Sequence, residues 1–372
     1  MKIAIDGRMI QESGIGRYIR NLLFNLKDLD QKNEYFILLL QKDFNTQVLS
    51  GNFHKVLADF RWYGVSEQFK IPKLLHDLEP DLVHFPHFNA PFLYNGKFVV
   101  TIHDLIHQHF QMRRATTLNP IFYKIKQLGY KKIFKQAVDK SKKILVPSNY
   151  VRDLLVNEWK IKLNKIIVTY EAVDNKIFSI EKKMTENNME KIRSRFNIKL
   201  PYIFYVGNAH PHKNVEGLIK SFLILKRNFP NLQLVLAGFD HYFWRKVKKE
   251  FQQKDIIFTG SVSDEELVAL YKGAKCFVMP SKEEGFGIPT LEAMVCKCPV
   301  VSSNKGSLFE VGGDAAIYFD PLNLSDMSNK IAEVLSNQVL KRKLIENGEK
   351  RVEEFSWTKL AKQTLEVYQS CV

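Results

Sequence analysis

Twice along this chain, short runs of β-branched and aromatic residues alternate with amphipathic stretches of helical period, and between the two series the alternation lapses. The first series places strand-like runs at 3–6, 35–40, 82–85, 98–102 and 144–147; the second places them at 202–206, 233–237, 256–259, 276–280 and 300–303. Continuous apolar runs separated by crossover helices are the pattern of parallel sheets covered on both faces. The lapse, around 176–198, is polar and charged (Glu-Lys-Lys-Met-Thr-Glu-Asn-Asn) and carries no strand signal. The expected fold class is therefore α/β, with two Rossmann-like doubly wound domains in tandem, and 372 residues suffice for two domains of ordinary size. The expected bounds are 1–175 for the first domain, 176–200 for an interdomain linker and 201–356 for the second.

Ligands of open parallel sheets sit beyond the carboxyl ends of the strands, so the residues that follow each run carry the functional signal. After 276–280 comes Glu284-Gly-Phe-Gly-Ile-Pro-Thr-Leu-Glu292, two carboxylates on either side of a glycine-rich turn that opens a helix. Gly285, Phe286 and Gly287 permit close backbone approach; Ile288 follows, and Pro289 suits the first helical position, where a missing N–H costs nothing. A diphosphate at that helix end meets free amides and the positive end of the dipole. Carboxylates repel phosphate, so Glu284 and Glu292 are expected to meet hydroxyls of the same ligand, sugar hydroxyls for Glu284 and ribose hydroxyls for Glu292. After 202–206 comes Gly-Asn-Ala-His-Pro-His-Lys-Asn, with Lys213 at a helix start, where the dipole disfavours a cation unless an anion offsets it. In the first domain, Asp6 leads through Arg8 to Ser13-Gly14-Ile15-Gly16-Arg17, a phosphate-loop outline lacking the three-glycine and Lys-Ser/Thr signatures. His103 directly follows the 98–102 run and is expected to point from a strand end toward a sugar hydroxyl. The spacing His103-Asp-Leu-Ile-His107 imitates a zinc motif, but a strand end does not present two ligands as one helix face does, so no metal and no cofactor is expected.

The net charge of +15 points to anionic partners. Residues 113–143 concentrate that charge: Arg113, Arg114, Lys124, Lys126, Lys131, Lys132, Lys135, Lys140, Lys142 and Lys143, interleaved with aromatic residues, face the single acid Asp139. Such a segment suits an anionic membrane surface, or a core-packed helix with a solvated basic face. No zinc, RRM or helix-turn-helix pattern accompanies it, so nucleic acid is not an expected partner. The N-terminus enters a strand without a signal-peptide apolar region, and the four cysteines form no disulfide or zinc spacing. A cytoplasmic protein, peripheral on the inner face of the plasma membrane, is the expected localisation.

With these residues in hand, the sequence resembles the retaining glycosyltransferases of family 4, and among them the bacterial mannosyltransferases of surface polysaccharide synthesis. The resemblance is carried by 284–292 with Ala293-Met294 and Pro299-Val300-Val301, by Ile-Asp-Gly-Arg-Met with Gly-Ile-Gly-Arg-Tyr, by Thr-Ile-His-Asp-Leu at 101–105, and by the Pro-His-Lys-Asn segment. It implies the GT-B fold, with the domains facing across a cleft, the first binding acceptor and the second donor, and the final helix, 357–372, returning to the first domain. It further implies a nucleotide-sugar donor, GDP-mannose foremost with UDP- and dTDP-sugars as alternatives, and a glycan or lipid-linked glycan acceptor. Transfer would be metal-independent. Glu284 would contact the transferred sugar, Glu292 the ribose, Lys213 the diphosphate, Gly14 and Gly16 the phosphate approach, and His103 the reaction centre. Where the family pairs its lysine with an arginine, Asn208 stands here, leaving Arg8, Arg17, His210 and His212 as candidates for the second phosphate cation. A nucleotide-sugar epimerase of the same fold is the nearest rival.

Overall fold

The computed structural model describes residues 1–110 and 120–372, with 120–128 described by backbone alone. Its first sheet comprises β1 (Lys2–Asp6), β2 (Glu34–Leu39), β3 (Phe53–Leu57), β4 (Leu82–Phe85), β5 (Phe98–Thr101), β6 (Ile144–Val146) and β7 (Ile166–Val168). All pairings are parallel, in the order β3-β2-β1-β4-β5-β6-β7. The second sheet comprises β8 (Tyr202–Val206), β9 (Gln233–Ala237), β10 (Ile256–Gly260), β11 (Phe277–Met279), β12 (Val300–Ser303) and β13 (Ala316–Phe319). Its order is β10-β9-β8-β11-β12-β13, again parallel throughout. Each sheet reverses direction of growth once, between β1 and β4 and between β8 and β11, which is the doubly wound topology.

The central strands read as apolar runs because both faces are covered. In β8, Ile203 and Tyr205 enter one core with Leu234, Leu236, Val278 and Val301, while Tyr202 and Phe204 are equally buried on the opposite face. In the first sheet Ala4, Leu38, Val83, Phe85, Val100 and Ile144 share a core with Phe134 and Val138 of the helix Pro120–Lys140.

Two compact units result. The first contains residues 1–105 and 356–372 together with the described residues of 120–171; the second contains 172–355 and the described residues of 106–110. The last helix, Trp357–Cys371, belongs to the first unit: Thr358 donates to Asn25 Oδ1 (2.7 Å) on the helix Ser13–Leu29, and the Tyr368 hydroxyl lies 2.6 Å from His84 Nδ1. Segment 176–200, expected as a linker, instead forms most of two capped helices of the second unit. Asp174 caps Asn175–Lys183 by accepting from Lys176 N (3.0 Å), and Thr185 caps Glu186–Arg195 by accepting from Asn188 N (3.3 Å). Lys176 pairs with Asp264 at 2.8 Å and Lys272 with Glu181, so the charges that suggested a solvated crossing hold these helices to the second domain.

Candidate nucleotide-sugar site

In the second unit the loops leaving β8 and β11 meet at the topological switch point, where successive crossovers depart to opposite faces. The Lys282 amide donates to the His212 carbonyl at 2.7 Å and ties the two loops. On the first loop, Gly207 has φ +154°, and its carbonyl accepts from Trp244 Nε1 (3.2 Å); a Cβ on Gly207 would fall 2.7 Å from the Tyr205 hydroxyl. On the second, Gly287 takes φ +100° as the left-handed N-cap of the helix Ile288–Val295. Pro289 occupies the second helical position, not the first, and the Thr290 amide donates to the Gly287 carbonyl at 3.0 Å. This helix end therefore presents fewer amides than its sequence suggested.

The two loops bring Lys213 and Glu284 together. Lys213 Nζ lies 2.6 and 2.8 Å from the two Glu284 oxygens, with the side chains 18% and 8% exposed. The anion that offsets the cation at this helix start is thus Glu284 itself. The Glu284 backbone is held from behind: the Ser307 hydroxyl shares its one proton between the carbonyls of Phe286 (2.8 Å) and Glu284 (3.0 Å), and a Cβ on Gly306 would stand 2.7 Å from the Glu284 amide. Glu292 is buried one turn into the helix and accepts from the Tyr271 hydroxyl at 3.1 Å. Burial, and then the Glu292 charge, raise the Tyr271 phenol well above its ordinary pKa, so it remains a donor. Phe286 packs edge-on against Phe355 (5.6 Å between centroids), and Gly285 and Ile288 are buried beside it.

Polar atoms without protein partners gather here. The Oγ atoms of Ser281 and Thr290 and the Nδ1 atoms of His210 and His212 are buried with no hydrogen bond. Buried polar groups are normally satisfied, so these four atoms keep hydrogen-bonding capacity that a polar ligand could use. Sequence reasoning did not single out Ser281, Thr290 or Tyr271; only the position of Ser281 just after β11 signalled it. The rings of His241, His210 and His212 form a row, 5.1 and 5.9 Å between centroids. Burial first, then the charges of neighbouring His241 and Lys213, push His210 down to about 4; burial, then Lys213 and His210, push His212 down to about 2. Both are neutral rings at neutral pH. Arg8, another candidate for the second phosphate cation, is spent in the first unit: its guanidinium bonds Asp6, Glu67 and the Phe60 carbonyl, and it is 1% exposed.

In the first unit, His103 stands just beyond β5 with Nδ1 3.0 Å from Glu171 Oε1 and Nε2 2.9 Å from the Pro86 carbonyl. Gly14 and Gly16 lie inside the first turn of the helix Ser13–Leu29, not in a loop before it. Gly16 is pressed on the chain, a Cβ there falling 2.5 Å from the Ile10 carbonyl oxygen, whereas Gly14 has open space. Of the basic segment, 113–119 lie outside the described residues. Lys132 and Lys140 stand over the Phe92 ring at 5.2 and 5.9 Å, and Lys135 pairs with Asp139 at 2.8 Å. No helix among the described residues is long and apolar enough to cross a membrane.

Two doubly wound units, with cationic, carboxylate and unsatisfied hydroxyl groups at a switch point, present groups complementary to a phosphorylated, hydroxyl-rich ligand. Residues 13–176 match the model of Glycosyltransferase Family 4 and residues 188–351 that of Glycosyl transferases group 1, and the chain belongs to these glycosyltransferases, with the GT-B fold class. It is 28% identical over 303 residues to O-antigen chain mannosyltransferase B of Escherichia coli, covering 79% of this chain and 75% of the relative. It is 29% identical over 265 residues to O-antigen chain mannosyltransferase RfbU of Salmonella typhimurium, covering 70% and 66%. Among solved structures, Anabaena Alr3699/HepE in complex with UDP-glucose superposes with a TM-score of 0.78 over all of both chains at 15% identity, a likeness of fold.

Proposed function

We propose that this glycosyltransferase moves a hexose, mannose from GDP-mannose foremost, to a hydroxyl of a lipid-linked oligosaccharide in surface polysaccharide synthesis, with the anomeric configuration retained. The observation that carries this reading is the Lys213–Glu284 pair at the switch point, on loops that also carry the buried, unpartnered hydroxyl of Ser281 and lead into the helix that carries that of Thr290. The pair suits a nucleotide sugar because the ligand brings both complements: diphosphate oxygens for the ammonium and sugar hydroxyls for the carboxylate. The mannosyltransferase relatives support the sugar and the acceptor class.

In the proposed reaction the bond from the anomeric carbon to the diphosphate breaks and the acceptor oxygen bonds to that carbon. The acceptor proton passes to the departing phosphate oxygen, so no separate nucleophile or base is required. Lys213 and the amides near Gly287 stabilise the diphosphate, doing without a divalent ion; loss of one preorganised donor of this kind commonly costs about 10² to 10³ in rate. His103 meets the sugar near the anomeric carbon, Glu292 the ribose, and Gly14 and Gly16 leave room for the phosphates. The first domain takes the acceptor and the second the donor. The 113–143 segment meets the anionic inner face of the plasma membrane.

A thermal-shift panel of GDP-, UDP- and dTDP-sugars tests the donor, because a ligand at 100 times its dissociation constant stabilises by about 2.7 kcal/mol. GDP-mannose is expected to give the largest shift; a larger one with a UDP-sugar would reassign the base. Conversion of the donor without acceptor would replace the transferase with the epimerase. Transfer is expected to persist in excess chelator, and its loss there would refute metal independence.

A further inference from the structure

At the carboxyl end of β5 one histidine has both ring nitrogens against oxygens that accept. Pro86 offers His103 Nε2 a carbonyl at 2.9 Å, which has no proton to give, so that nitrogen carries one; Glu171 offers Nδ1 a carboxylate oxygen at 3.0 Å, and meeting it requires a second. The two side chains are only 15% and 10% exposed, so water does not supply the missing complement. His84, on the adjacent strand, shows the contrast. Its nitrogens meet the hydroxyls of Tyr368 (2.6 Å) and Thr101 (2.8 Å), which either donate or accept and leave a neutral ring satisfied.

We infer that Glu171 is a positioning residue that holds His103 as an imidazolium, so that the strand end carries a fixed cation and not the neutral ring a strand-end histidine otherwise presents. Burial by itself lowers the His103 pKa, but the Glu171 hydrogen bond and charge, the Pro86 carbonyl and Asp104 outweigh it, and the net shift is upward. His84 moves the other way, to about 3, through burial and then the charge on His103. Tyr18 stands edge-on to the ring at 4.9 Å, and its phenol is pushed up by burial and stays neutral. Two neighbouring histidines are thus held in opposite protonation states by the chemistry of their partners. Nothing in the residue pattern singled out Glu171, 68 positions away in sequence.

The consequence for catalysis rests on the proposed glycosyl transfer. A doubly protonated ring only donates, so a sugar oxygen meeting Nε2–H shares that proton with Pro86, and the positive charge favours a departing anion. Because the pKa is raised, the active form exists below it and is lost as pH rises through it.

The test combines ¹⁵N spectra of histidine-labelled full-length protein, assigned with His103→Gln, and rate–pH profiles of wild type, Glu171→Gln and Glu171→Asp. Wild type is expected to show both His103 nitrogens protonated above the ordinary histidine pKa of about 6.5. The Gln variant should move the alkaline limb to lower pH by at least about one unit, with about tenfold less turnover near neutrality, partly restored on acidification; the Asp variant should keep the wild-type limb. A neutral-ring signature in wild type, or an unmoved limb in the Gln variant, would overturn the inference. Should that variant not fold, the wild-type spectrum and the Asp profile still decide. The imidazolium signature without transfer from any nucleotide sugar would support the charge state and refute the transferase reading.

Discussion

A lysine and a carboxylate that face each other in a partly buried site carry two costs when one is removed: the lost bond and the group left behind. Lys213→Ala and Glu284→Ala are each expected to lower stability by about 1–3 kcal/mol and to abolish transfer. The double variant should be less destabilised than the sum of the two, since no charge is left alone. Additive losses in denaturant unfolding would show that the pair is not coupled, and near-normal turnover of either single variant would remove it from the site. Gly14 makes the opposite case. It sits in a helix with open space where a Cβ would stand, so Gly14→Ala is expected to raise stability by about 0.5–1 kcal/mol. If donor phosphates use that space, the same variant loses turnover; a stable and fully active variant would cancel the role given to Gly14. At this scale the sequence displayed Lys213, Glu284 and His103 because each follows a strand, and Glu292 because it lies on the helix that the glycine-rich turn opens. It could not display that Lys213 and Glu284 neutralise each other, or that Tyr271 and Glu171 complete the acids and the histidine, because those partners are distant in sequence.

Elements were legible where burial is two-sided. Strands β1, β4, β8 and β9 carry apolar runs because neighbours cover both faces, whereas β3, β7 and β13 went unread. Those three stand at sheet edges and are partly exposed; β3 mixes polar and apolar residues, whereas β7 and β13 are apolar but only three and four residues long. The helices at 175–195 were hidden for a related reason. Little of their surface is buried, and the caps Asp174 and Thr185 were the readable signal. The helix Trp357–Cys371 gives a test at this scale. Tyr368→Phe removes the hydroxyl that satisfies buried His84 and is expected to cost about 1–3 kcal/mol, read from a lower urea midpoint. An unchanged midpoint would mean that this bond adds nothing to docking the helix.

Across the whole molecule, the buried histidines set how stability follows pH. His84, His210 and His212 have folded pKa values of about 3, 4 and 2, below the unfolded value, so the stability they confer is present above about pH 6.5 and drains away on acidification. His103 has the reverse sign: its contribution is full below about pH 6.5 and lost as pH rises through its raised value. The unfolding free energy from denaturant titrations should therefore fall steeply below pH of about 6, by up to about 1.4 kcal/mol per pH unit for each neutral histidine, and a flat acid limb would contradict their burial. The excess of 55 basic over 40 acidic residues predicts co-sedimentation with anionic vesicles at low salt and release at high salt, and a failure to bind would remove the membrane from the proposal. The sequence by itself determined two parallel-sheet domains and the strand ends where chemistry gathers, because hydrophobic periodicity and strand-to-helix turns are local properties of a chain. Tertiary structure alone decided which charges meet, which groups face each buried histidine and to which unit residues 176–200 belong. Pairing, desolvation and packing depend on what lies opposite in space, and the linear order of residues does not record that.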